Sequence, residues 1–173
     1  MKLIRVPTLL VQLIPALRRF HHDRSGAAAV EFALIAPIFL VLLCGIIENG
    51  LILFTQAAMD NGTRDAARVI LLGNATQTAF KAAFCATAGA LVPCDKIQIN
   101  VQSTAKFSSL SSALQTDANG NMLNTQFNPG ANSQDVLIQV GYNRPFLVPL
   151  IGTFTGRNSE LLLSTTAIRS EPY

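Results

Sequence analysis

The pattern of apolar residues divides the chain into one long apolar run and a part with shorter, periodic patterns. Residues 32–47 contain no charged or strongly polar side chain, and flanking apolar residues extend the run to residues 27–54. A helix of that length measures roughly 42 Å at about 1.5 Å per residue, and a bilayer core requires about 20 residues. The helix of a soluble core needs only one apolar face. The pattern therefore predicts that residues 27–54 cross a membrane.

Helical spacing continues beyond this run. Alanines and aliphatic residues recur up to Leu72, and Gly73 is a helix-terminating residue. Asn74 is then expected to cap a second helix over about residues 75–91, which ends before Pro93. Three positions are expected to bend the first helix: Pro37, Gly50 and Gly62.

The period of the pattern changes to two after residue 96. Residues 97–101 and 136–142 alternate between apolar and polar or small side chains, and residues 160–169 form a third candidate strand. The predicted fold class is α+β. It consists of a long, partly transmembrane N-terminal helix, a second helix and a small antiparallel β-sheet.

Two segments lie outside these elements. Residues 108–134 are rich in Ser, Asn, Gln, Thr and Gly, which predicts a long loop with a turn at Asn119-Gly120 and a small hairpin or helical turn inside it. Residues 145–152 form an apolar stretch that is too short to span a membrane. We expect this stretch to pack on the helix or to face a partner.

The charge is distributed unevenly. Of the 13 basic and 10 acidic residues, residues 1–26 hold five basic residues and a single acid, so the rest of the chain is close to neutral. An excess of Lys and Arg before the apolar run predicts a cytoplasmic N-terminus and an exported remainder after about Phe54. A nucleic-acid-binding surface would need a basic patch on the folded part, and the sequence predicts none. The basic residues before the run are Lys2, Arg5, Arg18, Arg19 and Arg24.

The junction at Gly26 and Ala27 carries the most informative chemistry. A secretory signal peptide is cleaved after its apolar segment, whereas here the small residues precede that segment and directly follow the basic cluster. Gly26 suits a membrane peptidase that accommodates an extended backbone, because glycine has no side chain to collide with the enzyme. We therefore expect a cut between Gly26 and Ala27 that leaves the apolar helix on the product.

Glu31 is the second part of this junction. A carboxylate at the centre of a bilayer costs about 2.5–3.5 kcal/mol, and less near the interface. In a bundle of such subunits, Glu31 can pair with the freed amine of Ala27 in a neighbouring chain and so set the register between subunits. The alternative is that Glu31 lies among lipid headgroups and stabilises the helix dipole.

The cysteines and histidines limit other chemistry. Cys44 lies in the apolar run, whereas Cys85 and Cys94 lie in the exported part, where they can close a short disulfide loop or remain two unpaired thiols. Two cysteines without nearby histidines do not make a metal site. Because His22 is the last histidine, the usual Ser/His/Asp and Cys/His catalytic sites are not expected. We predict no enzyme, no cofactor and no metal, and we interpret Glu48 and Asn49 as the end of the membrane span.

These residues resemble a known family. The junction Gly-Ala-Ala-Ala-Val-Glu-Phe-Ala-Leu-Ile-Ala-Pro, starting at Gly26, resembles the TadE-like pseudopilins of the tight-adherence (Flp) pilus, which belong to the type IV pilin class. Residues 62–68 and 167–172 are similar to that family as well. The resemblance implies that a dedicated prepilin peptidase cuts the Gly26–Ala27 bond and that Glu31 is the family's glutamate. It also implies a minor, processed component that acts with other pilins and the assembly platform in assembly, secretion or attachment.

The predicted organisation is a basic leader over residues 1–26, a transmembrane segment over 27–54 and an extracytoplasmic α+β domain over 55–173. The expected location is the bacterial inner membrane, crossed once, with incorporation into a pilus as a further step. One alternative is a membrane-anchored or secreted binding domain with a conventional signal-peptide cut near Ala57. Another is a bitopic enzyme or sensor, which the lack of histidines after residue 22, of metal ligands and of paired acids disfavours.

Overall fold

Two helices and three strands follow one another along the described part of the chain. The computed structural model describes residues 26–73, 76–110, 113–123, 125–131, 133–148, 152–153 and 155–170. In chain order the elements are α1 (Ala27–Leu71), α2 (Gln77–Ala88), β1 (Ile97–Thr104), a 3-10 helix (Phe107–Ser109), β2 (Asp135–Pro145) and β3 (Ser159–Arg169). The predicted α+β class is confirmed. The chain divides after Leu43 into two units, which are described separately.

The first unit contains the N-terminal part of α1, which exposes apolar side chains on all sides. Val30, Phe32, Leu34 and Ile38 are each at least 60% exposed. The most apolar 18-residue window of α1 has a mean hydropathy of 2.7 and no buried residue, so the helix is long and apolar enough to cross a membrane. The helix is continuous through Pro37. This is the surface that the unbroken apolar run predicts for a segment in lipid.

In the second unit, one face of α1 becomes a buried stripe. The buried positions recur at the helical spacing of three, four or seven residues, with two adjacent pairs at 62/63 and 66/67, which places them on one side of the helix. They are Glu48, Thr55, Met59, Gly62, Thr63, Ala66, Ala67 and Ile70. Gly62 does not interrupt the helix. A Cβ atom there would lie 3.0 Å from the Cβ of Ala88 and 3.1 Å from the carbonyl oxygen of Phe84. Glycine at position 62 therefore lets α1 and α2 approach closely.

The connection between the two helices differs in one detail from the prediction. Gly73 follows α1 with a φ of 76°, which glycine adopts without strain, so the predicted stop is confirmed. The cap of α2 is Thr76 rather than Asn74, because the Thr76 hydroxyl accepts a hydrogen bond from the Ala79 N–H at 3.2 Å. Asn74 itself lies outside the described residues. The helix is consequently shorter than predicted, from Gln77 to Ala88.

The three described strands form one antiparallel sheet in the order β1-β2-β3. In the register, Ile99 pairs with Val140, which in turn pairs with Ser164 on β3. Directly paired residues lie on the same face of a sheet. The apolar side chains of the face that contains Ile99 and Val140 pack against those of α1 and α2. The sheet contributes these buried members to the core: Ile99, Val101, Val136, Ile138, Val140, Tyr142 and Leu162. The three predicted strands are confirmed.

The second face of the sheet is more covered than the alternating pattern suggested. The pattern predicts half-buried strands with polar side chains on the outer face, yet Asn100 and Gln139 are buried. The two side chains are joined by one hydrogen bond, in which Asn100 Nδ2 donates to Gln139 Oε1 at 3.0 Å, while Asn100 Oδ1 is buried without a partner among the described residues. Met122 also lies on this face, where a Cβ on Gly141 would stand 2.5 Å from the methionine sulfur. The long loop therefore covers much of the face expected to meet water.

The loop after β1 has structure of its own. Thr116 and Met122 form an antiparallel bridge around the Asn119-Gly120 turn, with Gly120 at a φ of 81°, so the predicted small hairpin is confirmed. Further along, Phe127 forms a parallel bridge with Val101 on the free edge of β1. Its ring meets that of Phe80 edge-on at 5.9 Å. The loop thus protects an edge strand and adds to the core.

Candidate functional site

The predicted processing site lies at the start of α1. Gly26 immediately precedes the helix and is exposed. Apart from its chain neighbours and the backbone of the helix itself, no atom of the described residues lies within 4 Å of the place a Cβ would occupy. The first N–H groups of a helix have no partners within it, so this end of α1 has few backbone bonds to lose. The arginines and histidines of the leader lie outside the described residues. What the structure places at the junction is a sterically open Gly26–Ala27 bond.

Glu31 lies one helical turn after Ala27 and is exposed. Within the described residues it makes no hydrogen bond or ion pair, and its neighbours Val30 and Phe32 are apolar and exposed. A carboxylate in such surroundings gains from a cationic partner. The structure leaves the face with Glu31 open, so a group from another molecule can reach it.

The best-formed polar contact involves Glu48 rather than Glu31. The Glu48 side chain is 2% exposed, and its Oε1 accepts a hydrogen bond from Arg144 Nη1 at 2.5 Å. Its other oxygen, Oε2, accepts the backbone N–H of Leu147 at 3.1 Å. Both carboxylate oxygens are therefore occupied, and the pair joins α1 to the end of β2 and the segment after it.

Sequence reasoning misses this pair, because the pattern places Glu48 at the end of the membrane span. A signal was nevertheless present in β2. Arg144 has the same parity as Val140 and Tyr142, so the alternation of the strand assigns it to the core face. An arginine at a core-facing position needs a buried acid. Glu48 is the first acidic residue after the uninterrupted apolar residues 32–47 in the sequence, and it supplies this acid.

Cys85 and Cys94 are adjacent in space. The structure joins Cys85 near the end of α2 to Cys94 in the connection to β1, with Cα atoms 6.0 Å apart. Cys44 is a free thiol and is partly buried. A bond at this place ties the end of α2 to the segment that leads into the sheet.

A polar cavity lies at the same end of the sheet as Arg144. It has a volume of about 660 Å³, and its lining includes Asp117, Asn119, Asn143 and Arg157. Hydrogen bonds from the backbone and side chain of Asn121 lower the pKa of Asp117, with further backbone contributions that include Asn119. This carboxylate therefore organises the hairpin turn. Within the described residues, no group of three or more His, Cys, Asp or Glu side chains could hold a metal ion.

Comparison with known proteins gives one match. Residues 26–68 match the family model described as TadE-like protein, a segment that begins at the predicted cleavage junction and covers less than half of the chain. No curated protein and no solved structure matches the chain. The matched segment contains Gly26, Glu31 and Glu48, so it covers both the junction and the acidic half of the buried ion pair. The resemblance predicted from the sequence is confirmed over this segment.

Replacing Arg144 with alanine should destabilise the globular part strongly. The change leaves the Glu48 carboxylate buried without its cation, which typically costs about 3–5 kcal/mol. Arg169→Ala is the matched control, because Arg169 is exposed and lies 4.0 Å from Asp135, and an exposed pair contributes about 0–1 kcal/mol. Urea unfolding of the full chain in detergent micelles, followed by circular dichroism, measures both losses. Equal, small losses for the two variants would contradict a stabilising role of the buried pair.

Proposed function

We propose that this TadE-like protein of the tight-adherence (Flp) pilus system is a minor, pilin-like subunit. A prepilin peptidase cleaves it between Gly26 and Ala27, and it is then assembled with other pilins through the exposed part of α1. The observation that carries the proposal is the junction itself. An open glycine, an apolar helix exposed on all sides and an acid at position 31 occur together inside the segment that matches the family.

The order of these features specifies what the cut does. The bond after Gly26 lies on the N-terminal side of the apolar run, so hydrolysis there removes the basic leader and leaves α1 intact. The product keeps its membrane anchor and gains a new amine on Ala27. In this reaction the protein is the substrate, and the peptidase supplies the catalytic groups.

The new amine has a place in the proposed assembly. A positive charge at the N-terminus of a helix is unfavourable, because the helix dipole is positive at that end. If this amine lies next to the Glu31 carboxylate of a neighbouring subunit, the two opposite charges would compensate each other. Such a pair forms only at one axial offset between two helices, so it would set the register of the subunits.

We place the protein in the bacterial inner membrane as a single-pass protein. The basic leader before α1 favours a cytoplasmic N-terminus, which leaves the sheet and α2 in the periplasm. The partners are then the prepilin peptidase, other pilins or pseudopilins and the assembly platform. The Cys85–Cys94 contact fits this compartment, because disulfides persist in oxidising environments.

The contacts of α1 argue against the alternative cut near Ala57. Thr55 is buried in the middle of the helix, and Gln56 Nε2 donates to the Leu163 carbonyl oxygen of β3 at 3.0 Å. Cleavage after Ala57 would also remove Glu48 and leave Arg144 buried without its acid. A secreted domain made in that way would lose part of its own core.

The mature N-terminal residue tests the proposed cleavage directly. In cells that contain the peptidase, we expect N-terminal sequencing to find Ala27. Gly26→Leu should remain uncut, because the added side chain collides with the peptidase. Gly45→Leu is the control, since Gly45 also has open space around it and lies away from the junction. A mature chain that starts at Met1 or Ala58 would contradict the proposal.

The register role of Glu31 is tested by separating cleavage from assembly. Glu31→Ala should be inserted and cut normally but recovered poorly in pilus preparations, because the neighbouring amine loses its counter-charge. Asp95→Ala removes an exposed carboxylate from the globular part and should assemble normally. Quantitative immunoblots of membrane and pilus fractions measure both steps. Normal assembly of the Glu31 variant would show that Glu31 does not set the register.

The oxidation state of the exported cysteines is measured by thiol labelling of the unfolded protein. The chain has three cysteines, so a Cys85–Cys94 bond leaves only Cys44 to react before reduction. We expect mass spectrometry to find one label before reduction and three after it. Three labels without reduction would show that Cys85 and Cys94 are free thiols as well as Cys44, and would remove this support for a periplasmic location.

A further inference from the structure

The Glu48 carboxylate lies within a length of α1 whose free surface is mostly apolar. Asn49 is a polar side chain exposed there, and its amide donates back to the Gly45 carbonyl oxygen of the same helix. Ile46 and Ile47 before Glu48 and Leu53 and Phe54 after it are exposed. Phe54 is six residues beyond Glu48, which is roughly 9 Å along the axis at about 1.5 Å per residue. The exposed apolar surface of α1 therefore extends past the level of the ion pair. An acid at this level needs the compensation that Arg144 and the Leu147 N–H provide.

The same contacts hold the segment after β2 at that level. Because the Leu147 N–H donates to Glu48 Oε2, the backbone of residues 146–148 lies beside α1 where α1 still exposes apolar side chains. The Leu147 side chain points away from the core and is 64% exposed. Phe146 and Val148 on either side of it are half-buried. The segment thus presents an exposed leucine at the level of an apolar helix surface.

We propose that residues 146–148 form a second membrane contact, with Leu147 inserted at the boundary between headgroups and acyl chains of the phospholipid bilayer that α1 crosses. The first argument for lipid is continuity. Leu147 is held at the level of Ile46, Ile47, Leu53 and Phe54, and that apolar helix surface faces lipid before any assembly occurs. The proposal rests on the membrane anchoring of α1, which the proposed function also requires, but not on cleavage or pilus assembly.

Charge next to the segment supports the same ligand. Phe146 and Arg157 line one cavity, together with Thr155, Ser159 and Glu160. Arg157 is exposed, and a guanidinium next to an apolar segment suits a lipid phosphate, which it can bind with two parallel hydrogen bonds. Glu160 is the one carboxylate of this lining. In the strand register it lies directly opposite Arg144 of β2.

The orientation of the sheet supplies the control position. Near the end of β2, Arg144 contacts Glu48. Three residues earlier in β2, Gly141 pairs with Leu163 of β3, and Leu163 contacts Gln56, which lies two turns after Glu48 along α1. Moving back along β2 therefore leads away from the proposed contact. The opposite end of β2, at Asp135, is roughly 30 Å from Arg144 at about 3.3 Å per residue. Asp135 pairs with Thr104 at the end of β1. Phe107 follows three residues later, is 58% exposed and serves as the apolar control position far from Leu147.

Tryptophan fluorescence tests the proposal in the full chain, which contains no tryptophan. Leu147→Trp, Phe107→Trp and Leu42→Trp are each reconstituted into phosphatidylethanolamine–phosphatidylglycerol vesicles with plain or brominated acyl chains. Leu42 lies in α1 and is 63% exposed, so its variant reports whether the helix is in lipid. We expect brominated lipid to quench Leu42→Trp and Leu147→Trp, and to leave Phe107→Trp unchanged.

The remaining outcomes overturn the proposal in distinguishable ways. Quenching of Leu42→Trp alone would show an anchored protein whose segment 146–148 stays in water. A blue-shifted but unquenched Leu147→Trp would show that the side chain at position 147 packs against protein instead of lipid. An unquenched Leu42→Trp would remove the membrane anchoring itself, and with it both this contact and the proposed function.

Discussion

A carboxylate that leaves water must find a cation and hydrogen-bond donors, and in this protein that requirement fixes where the sheet meets α1. Glu48 is buried, and both of its oxygens are satisfied, one by Arg144 and the other by the Leu147 N–H. The three residues come from a helix, a strand end and the segment that follows. Since the contact joins residues 96 positions apart in the sequence, it forms only when the tertiary fold is in place. The position proposed for residues 146–148 beside α1 depends on this contact.

The long helix serves two purposes because the composition of its faces changes along its length. Up to Leu43, apolar side chains are exposed on every side, as lipid requires. From Glu48 onward, one stripe of α1 is buried against the rest of the second unit. Gly62, Ala66 and Ala67 in this stripe have small side chains or none, which allows close packing. A single element can therefore act as a membrane anchor and as the central support of the globular part.

Local features were predictable from the sequence, whereas long-range polar contacts were not. The apolar run, the Gly73 stop, the three strands and the Asn119-Gly120 hairpin follow from side-chain period and turn chemistry, and the structure has all of them. The junction at Gly26 is equally local, so the family resemblance could be drawn from adjacent residues. The Glu48–Arg144 pair and the burial of Asn100 depend on which loops and strands meet in three dimensions. The parity of Arg144 within β2 was the one trace of this in the sequence.

The coupling between Glu48 and Arg144 is the most direct measure of this account. A double-mutant cycle compares the free energy of unfolding of Glu48→Leu, Arg144→Leu and the double variant in micelles, with the intact chain as reference. If the two side chains neutralise each other in a buried site, each single variant leaves an unpaired charge, and the double variant should be more stable than either single one. Losses that simply add in the double variant would show that the two residues act independently, and would contradict the account.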